Sequence, residues 1–463
     1  MENDFREEDL ATVAIGNPSH RFSRPLKLEQ ASDSIDGVDS ISSLPDDILH
    51  CILSYIPTNF AIRTSVLSKR WRHVWSESPH LSFDQHRISA KSINETLNNY
   101  RAIKIISFHL FTRLHNRIHF VNSWIEFAIS HNAEKLSLDF RDARVRDYKF
   151  PGFFYTNSSV KQLLINSGPA ELIPSCTVSW TSLKYLSLIF CKVSNESFPK
   201  ILSGCPLLES LTLHNCDSVK YLDLSKSLYL RRLDIICCNT VREPMKIVAP
   251  HIHYLRLRGQ CTLLDVSSLT EADVDSSDNY LFLSFSYYKS DSLMLVMVQA
   301  MLEKLQNVEK LTLGVDFLRL HGVPLPKLKV KTLTLETMIM RPVVLGIARL
   351  VQNSPQVKKI TIYTTQFSTV LDKCDSFLEL QNLNPNQGWR SIDVVFPTSW
   401  DSKVPEPELM VSFIELLLAN TITLETLVVR LGSYTDDYRS RFEEQFQIAL
   451  TLSHNNEVSI VLK

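Results

Sequence analysis

The segment SKRWRHVW, residues 68–75, combines the residue types that bind nucleic acid. Basic side chains can contact phosphates and tryptophans can stack on bases. The basic or potentially basic residues are Lys69, Arg70, Arg72 and His73. On a helix capped by Ser68, however, Trp71, Val74 and Trp75 share one face. The opposite, solvent-facing side then carries Lys69, Arg72, His73 and Ser76. The spacing therefore favours an amphipathic helix packed through its tryptophans over a nucleic-acid site.

Other residues with chemical potential do not form a catalytic or metal pattern. His251 and His253 share a strand face in HIHY, but no third ligand follows in register. Asp46 and Asp47 suit the first turn of a helix. The sequence contains no GxSxG, P-loop, HExxH or dinucleotide-binding fingerprint. We therefore expect no catalytic residues, no metal site and no cofactor.

Composition narrows the class of protein further. The net charge of −1 gives no global attraction to nucleic acid or anionic membranes, and only 11 of 463 residues are glycine, which disfavours phosphate-cradling loops. Nine cysteines without CxxC pairs are typical of a reducing compartment. The acidic start, MENDFREEDL, and the lack of a long apolar run predict neither signal peptide nor membrane span. We expect an intracellular protein, in the nucleus and/or the cytoplasm.

One pattern, L-x-x-L-x-L, returns from about residue 130 onward. Its instances begin at residues 133, 160, 183, 208, 230, 252, 308, 330, 357 and 424. Most successive starts lie 22–27 residues apart, which matches the leucine-rich repeat. SLTEADVDSS is the candidate for a degenerate unit in the long gap after 252, and WRSIDVVF, residues 389–396, for a further strand. In three units a cysteine, Cys191, Cys216 or Cys238, follows the strand at the position where this repeat carries an inward Asn or Cys. We interpret these thiols as packing residues.

A short helical block precedes the repeats. ISSLPDDILHCILSYIP predicts a first helix with Ser43 or Leu44 at its cap and Pro57 after its end; a second helix follows in TNFAIRTSVL. The block holds more large apolar side chains than three short helices can bury against one another. Two explanations follow: the surplus packs on the first repeats, or it binds a partner.

The segment SLPDDILHCILSYIPTNFAIRTSVLSKRWRHVW resembles the F-box of plant proteins with leucine-rich repeats. In that family the Leu-Pro pair and the following helix bind a Skp-type adaptor, which links the protein to a cullin-RING ubiquitin ligase. Carried over by position, the resemblance implies adaptor contacts or their support at Leu44, Pro45, Ile48, Leu49, Ile52, Leu53, Val66, Leu67, Trp71 and Trp75. The PELMVSFIELLLANTITLETLVVRL stretch and the terminal VSIVLK resemble the FBD region of the same group.

Together these features predict an α/β fold: an N-terminal three-helix F-box, a leucine-rich-repeat solenoid of horseshoe type, and a C-terminal α/β FBD-like cap. The predicted domains are a disordered tail at 1–40, the F-box at 41–85, the solenoid at 100–380 and the cap at 381–463. The tail is polar and lacks apolar periodicity.

The repeats are the expected surface for a protein target. Their third, fifth and seventh pattern positions point to one shared sheet face. Candidate target-binding residues on it are Tyr185, His214, Arg232, Asp234, Tyr254, Arg256 and Arg258. Arg232, Arg256 and Arg258 could accept an acidic or phosphorylated segment, while an ordinary solvated strand face remains the alternative. The resemblance implies a non-catalytic substrate adaptor of a ubiquitin ligase; a non-ligase interaction scaffold and an enzyme acting on the sheet face are the two rivals.

Overall fold

The computed structural model describes residues 41, 43–84, 88–112, 118–140, 148–167, 172–216, 218–237, 244–259, 261–275, 291–314, 317, 325–337, 341–364, 407–431, 440–444 and 458–462. The chain divides into two compact units, Met1–Leu44 and Pro45–Lys463. The first is described only at residues 41, 43 and 44, so the predicted tail lies outside the described residues. The second contains all the helices and strands below.

The N-terminal helices of the second unit follow the predicted order. They are α1 (Asp46–Ser54), α2 (Thr58–Arg63), a 3-10 helix (Thr64–Val66) and α3 (Trp71–Glu77). Two start signals differ from the prediction, because Pro45 and not Ser43 or Leu44 holds the N-cap of α1, and Arg70 and not Ser68 holds the N-cap of α3. Ser68 Oγ accepts a hydrogen bond of 3.5 Å from the Trp71 N–H, although α3 begins only at Trp71.

The main sheet has fourteen strands among the described residues, in the order β1-β2-β3-β4-β5-β6-β8-β10-β12-β13-β14-β15-β16-β17. Every neighbouring pair is parallel. The strands are β1 (His80–Asp84), β2 (Ser107–Phe111), β3 (Lys135–Asp139), β4 (Gln162–Asn166), β5 (Tyr185–Ile189), β6 (Ser210–His214), β8 (Arg232–Ile236), β10 (Tyr254–Arg258), β12 (Glu271–Asp275), β13 (Lys310–Leu313), β14 (Thr332–Thr337), β15 (Lys359–Thr364), β16 (Thr426–Leu431) and β17 (Ser459–Leu462).

Alternation along most strands builds the core. Their second and fourth residues are buried and the first, third and fifth face the other side of the sheet, as β8 and β10 illustrate. The register stacks the buried residues in rows across the sheet, for example Leu233, Leu255, Ala272 and Leu311. Each large side chain buried in this way stabilises the fold by about 1.5–3 kcal/mol.

Helices lie in several of the connections between the parallel strands, and their buried apolar residues join the core of the sheet. They are α4 (Ala90–Asn98), α5 (Ile118–Ser130), α6 (Gly152–Tyr155), α7 (Ser197–Ser203), α8 (Asp291–Lys304), α9 (Arg341–Gln352) and α10 (Pro407–Ala419). Val121, Trp124 and Ile125 of α5 lie in the same apolar cluster as the strand leucines. No helix in the described parts of the chain is both long and apolar enough to cross a membrane.

A second, three-stranded sheet was not predicted. Its strands β7 (Tyr221–Asp223), β9 (Met245–Val248) and β11 (Cys261–Asp265) pair in parallel in the order β11-β9-β7. In the chain β7 follows β6, β9 follows β8 and β11 follows β10. Three consecutive repeats therefore each contribute one strand to the main sheet and one to the second sheet. The L-x-x-L-x-L pattern marks one strand of each repeat and therefore does not reveal them.

The repeat pattern is confirmed by the strands. Each L-x-x-L-x-L instance, from the one that begins at residue 133 to the one that begins at residue 424, contains a strand of the main sheet or leads directly into one. The degenerate unit SLTEADVDSS contains β12. Two earlier strands, β1 and β2, extend the sheet beyond the pattern. The predicted strand WRSIDVVF lies outside the described residues.

At the C-terminus, α10, β16 and β17 match the predicted elements, and β16 and β17 continue the main sheet in parallel. The assignment of this region to the FBD group, and the predicted domain boundaries, stay predictions.

Candidate functional site

Helix α1 has apolar residues on both of its faces. Leu49 and Leu53 are completely or almost completely buried, whereas Ile48, Ile52 and Tyr55 are exposed. The exposed residues are spaced i, i+4 and i+7, so they form one stripe of the helix. A helix at a protein surface ordinarily carries polar residues on such a stripe. An apolar outer stripe instead indicates a surface that a partner covers.

The start of α1 is fixed by charge as well as by proline. Asp46 and Asp47 lie in the first turn, where carboxylates interact favourably with the helix dipole. Arg70, just before α3, forms an ion pair with Asp46. The hydrogen bond from Arg70 lowers the pKa of the Asp46 carboxyl below its ordinary value. This pair links the beginnings of the first and third helices.

The segment after α2 exposes two further apolar residues. Val66 is 88% exposed and Leu67 is 62% exposed. The turn that presents them is closed by the hydroxyls of Thr64 and Ser65, which donate to the carbonyls of Ala61 and Ile62. We call Ile48, Ile52, Tyr55, Val66 and Leu67 the outward F-box residues.

The inner side of the block packs on the repeats. Trp71 and Val74 of α3 are buried, like Leu49 and Leu53 of α1, and both α1 and α2 contact β1. The edge strand β1 is also bonded to α2, because the Ser82 N–H donates to Thr58 Oγ1 at 2.7 Å. The first explanation of the apolar surplus therefore holds for the inner set, which packs within this unit. The outward set is not covered by the described residues, and its binding to a partner stays a prediction.

Thr58→Val is expected to destabilise the protein by about 1–3 kcal/mol, because it leaves the Ser82 N–H of the edge strand without its acceptor. Thr64→Val is the matched control, since it removes a hydroxyl that only donates to a carbonyl within its own helix end. Denaturant unfolding of the two variants measures the difference. An equal loss of stability in both would contradict a structural role for the Thr58 contact.

The ten residues that the resemblance assigns to adaptor binding thus separate into groups. Exposed side chains are Pro45, Ile48, Ile52, Val66 and Leu67; buried ones are Leu49, Leu53 and Trp71; half-buried ones are Leu44 and Trp75. Their role in binding stays a prediction. Tyr55, which is 83% exposed, was missed, although its position three residues after Ile52 in the helical spacing could have identified it.

The basic residues of SKRWRHVW lie where the helix pattern predicted, with one correction. Lys69, Arg72 and His73 are exposed and Trp71 is buried. Ser76 is buried and not solvent-facing, because its carbonyl accepts hydrogen bonds from the N–H groups of Arg101 and Ala102. The segment that leads into β2 therefore lies against Ser76, on the side of α3 that was predicted to face solvent.

The repeats present their third, fifth and seventh pattern positions on one face, as predicted; these are strand positions one, three and five. Tyr185 and Arg232 are exposed at the first position of β5 and β8. The Arg232 guanidinium lies 3.9 Å from the centre of the Tyr254 ring on β10, a cation–π contact that holds this arginine against its neighbour.

A charged network occupies the third and fifth strand positions. His214 Nε2 lies 3.2 Å from Asp234 Oδ1, and Arg256 bridges Asp234 and Asp273 at 4.0 and 3.6 Å. Arg258 donates to both oxygens of Asp273, at 2.6 and 3.2 Å. It also reaches Glu336 on β14, with 3.6 Å between nitrogen and oxygen.

This network corrects the interpretation of the arginines. Arg258 is only 7% exposed and its guanidinium already binds Asp273 and Glu336. Arg256 lies between two carboxylates, and Arg232 stacks on Tyr254. The three arginines do not form an open site for an acidic or phosphorylated segment. The sequence could not show this, because Asp273 and Glu336 come from later strands that only the sheet register brings alongside.

Three cysteines that follow strands were predicted to pack inward, and the two that the structure describes do so. Cys191 and Cys216 are buried, and each Sγ lies 3.4 Å from a carbonyl of the preceding repeat, that of Ile165 or Leu188. Cys238 lies outside the described residues. His251 Nε2 lies 3.1 Å from the Ser225 carbonyl. Within the described ranges, no group of three or more His, Cys, Asp or Glu side chains is arranged to hold a metal ion.

Comparison with known families matches both parts of the chain. The F-box domain family matches residues 41–82. A leucine-rich-repeat family described as the At1g61320/AtMIF1 LRR domain matches residues 96–321. The first match covers α1 to α3 with most of β1, and the second spans β2 to β13.

Among whole proteins, the chain is similar to several from Arabidopsis thaliana. It is 57% identical to the putative F-box/LRR-repeat protein At5g02930, over 96% of this chain and 98% of that protein. It is 55% identical to the F-box/LRR-repeat protein At5g02910, over 93% of this chain and 96% of the relative. With the putative F-box/LRR-repeat protein At3g18150 the identity is 46% over 98% of both. Since these similarities extend over nearly the whole length and both domains match in order, the chain belongs to the F-box/LRR-repeat protein family.

Proposed function

We propose that this protein is the substrate-recognition adaptor subunit of an SCF-type (Skp–cullin–F-box) E3 ubiquitin ligase. An F-box domain implies binding to a Skp-type adaptor, and F-box/LRR proteins are generally non-catalytic adaptors. The observation that carries the proposal is the outward F-box residues, which expose apolar surface where the inner side of the same helices is packed. The adaptor is the partner that would cover them.

The proposed mechanism is positioning. The F-box helices are seated on β1, the first strand of the repeat sheet, through packing and the Thr58–Ser82 hydrogen bond. A target bound by the repeats is thereby held at a fixed place relative to the adaptor. This raises the effective concentration of the target's lysines near a conjugating enzyme that carries ubiquitin. No residue of this chain needs to take part in making or breaking bonds.

The test of this proposal is co-purification with a plant Skp-type adaptor. We expect the wild type to retain the adaptor and the Leu44→Ala, Pro45→Ala double variant to lose it. The Arg232→Ala, Arg256→Ala double variant changes only the sheet face and should retain it. The proposal would be contradicted if the wild type did not retain the adaptor, or if the Leu44→Ala, Pro45→Ala variant retained it equally well.

The alternative is a non-ligase interaction scaffold that uses the same repeat surface. Such a scaffold would bind its partners without causing ubiquitin to be attached to a target. The decisive measurement is therefore the ubiquitin-modified proteome of cells that express the wild type or the Leu44→Ala, Pro45→Ala variant. Modified proteins that disappear with the variant support the ligase function, whereas identical sets favour the scaffold. We place this activity in the nucleus and/or the cytoplasm, which a fluorescent fusion would test.

A further inference from the structure

Two cysteine side chains of neighbouring repeats are in direct contact. Cys237 directly follows β8, and Cys261 is the first residue of β11 in the second sheet. Their sulfur atoms lie 3.4 Å apart, although the two residues are 24 positions apart in the sequence. Both are free thiols. A disulfide bond is about 2.0 Å long, so the two sulfurs need to approach by only about 1.4 Å to form one.

The backbone of two repeats brings these thiols together. The Cys237 N–H donates a hydrogen bond of 2.9 Å to the carbonyl of Arg258, at the end of β10. Gly259 has φ of 98°, and a Cβ there would lie 2.6 Å from the carbonyl oxygen of Cys237 and 3.2 Å from its Cβ. Only glycine permits this conformation and this approach without strain. Cys261 is held in place because β11 pairs with β9 and contacts α8.

The two sulfurs differ in their access to solvent. Cys237 is half-buried, whereas Cys261 is only 1% exposed. The hydrogen bond with Cys237, together with burial, raises the pKa of the Cys261 thiol well above its ordinary value. Cys261 therefore stays protonated near neutral pH, and an oxidant from solvent meets Cys237 first. An accessible sulfur beside a protected second one is the arrangement of a cysteine pair that responds to oxidants.

Other cysteines of the repeats have either contact or access. Cys191 and Cys216 hydrogen-bond to each other through their side chains, but both are buried and each sulfur also contacts a carbonyl of the preceding repeat. Cys176 is exposed, and its sulfur lies 3.6 Å from the carbonyl of Gly152. These three residues therefore serve as internal controls for the pair that combines both properties.

We propose that Cys237 and Cys261 form a reversible disulfide bond in the presence of hydrogen peroxide, which makes them a redox-sensitive modification site of the repeats. In the first step the sulfur of Cys237 attacks one peroxide oxygen. A sulfur–oxygen bond forms, the oxygen–oxygen bond breaks, and the departing hydroxide takes up the thiol proton as water. In the second step the sulfur of Cys261 attacks the resulting sulfenic acid, loses its proton and expels a second water.

These two steps balance without a further reactant. The two sulfurs together lose two electrons, and the two peroxide oxygens gain them as they become water. A dithiol reductant reverses the reaction by thiol–disulfide exchange. In a reducing compartment the pair therefore rests as thiols, and intracellular disulfides of this kind are typically transient.

The bond closes a loop that contains part of the charged network. Residues 238–260 lie between the two cysteines and include β9 and β10, with Arg256 and Arg258. The bond also joins the end of β8, in the main sheet, to the start of β11, in the second sheet. Such a cross-link restricts the unfolded chain and so stabilises the folded repeats. Oxidation thus makes this part of the repeats more rigid, and this effect does not depend on binding of the adaptor.

The first test maps the bond in the full chain. The reduced protein is treated with hydrogen peroxide, the remaining thiols are alkylated under denaturing conditions, and the tryptic peptides are analysed by mass spectrometry. The Cys238→Ser variant is used beside the wild type, because Cys238 shares a tryptic peptide with Cys237. We expect the peptide of Cys237 to be linked to that of Cys261 in both proteins. A link that is present in the wild type and absent in Cys238→Ser would overturn the proposal.

The internal controls set the peroxide concentration for this test. Cys191 and Cys216 should remain alkylatable throughout, because peroxide does not reach them. Cys176 should be oxidised without forming a bond within the chain. If Cys237 and Cys261 both remain alkylatable at a concentration that oxidises Cys176, the proposal fails.

The second test measures the effect of the bond on stability. Peroxide should raise the melting temperature of the wild type by about 3–6 °C, and dithiothreitol should reverse the rise. Cys237→Ser should show no such rise, since it lacks one sulfur of the pair. Cys176→Ser removes an exposed thiol outside the pair and should show the same rise as the wild type. A rise that persists in Cys237→Ser would overturn the assignment to this pair.

Hydrogen exchange locates the effect in the chain. Amides of β9 and β10, which lie inside the closed loop, should exchange at least about tenfold more slowly in the oxidised protein. Amides of β14, outside the loop, should exchange at the same rate in both forms. Equal slowing in all of these strands, or in none of them, would contradict a cross-link between Cys237 and Cys261. Adaptor co-purification is measured separately, so either proposal can fail while the other stands.

Discussion

Replacing Ile48 and Ile52 with glutamate is expected to abolish binding of the Skp-type adaptor while the protein stays folded. Both side chains are exposed, at 47% and 43%, so glutamate can direct its carboxylate into solvent and the change removes little packing. In the complex, burying each isoleucine contributes about 1.5–3 kcal/mol, and two carboxylates would have to be buried there without partners. The affinity should therefore fall at least about a hundredfold. Calorimetric titration of the adaptor measures this loss, and a thermal melt checks the fold.

Leu49 provides the matched control on the same helix. It lies beside Ile48 in sequence but is completely buried, so Leu49→Ala should cost about 2–5 kcal/mol of stability. Its effect on the adaptor should be small under conditions where the helices remain folded. If the glutamate variant still binds the adaptor tightly, or if it unfolds as readily as Leu49→Ala, the division of α1 into an outward and an inward face is wrong.

The F-box helices show what a sequence can and cannot predict about a short block. Helical spacing and proline signals place α1, α2 and α3 within a few residues of their observed bounds. They do not tell Ile48 from Leu49, because both faces of α1 are apolar. That distinction depends on contacts of α1 with α3 and with β1, a strand that the repeat pattern did not identify. HLSFD and SFHLF, the sequences of β1 and β2, have strand alternation but each keeps only one leucine of the pattern, Leu81 or Leu110, with phenylalanine at the other strand position.

The repeat face shows the same limit for charge. The pattern placed Tyr254, Arg256 and Arg258 correctly on the shared sheet face of β10, although Arg258 is buried there, and it found β12 in a degenerate unit. It could not supply their partners, since Asp273 and Glu336 follow at sequence distances that vary with each insertion. Only the parallel register brings Asp273 beside Arg256 and Glu336 within reach of Arg258. For this reason the predicted acceptor of anions is, in the structure, a set of arginines that already contact neighbouring side chains.

Arg258→Met is expected to cost about 3–5 kcal/mol of stability, because removing one partner of a buried ion pair leaves the other uncompensated. The methionine keeps most of the apolar stem, so the loss reports mainly the charge. Asp273 would lose two hydrogen bonds and Glu336 its ion pair. Lys358→Met is the control: its pair with Glu425 is exposed, and such pairs contribute about 0–1 kcal/mol. Denaturant unfolding near neutral pH should separate the two variants clearly.

The pH dependence of the Arg258→Met deficit tests its electrostatic origin. Burial raises the pKa of the Glu336 carboxyl above its ordinary value in the folded protein, so its charged form disfavours folding above that pKa, and the penalty is relieved as pH falls through it. Without Arg258 the pKa should rise further, since the guanidinium holds it down. Lowering the pH from about 7 to about 5 should therefore reduce the difference between variant and wild type. A difference that stays constant with pH would mean that Arg258 stabilises the repeat face through packing and not through charge.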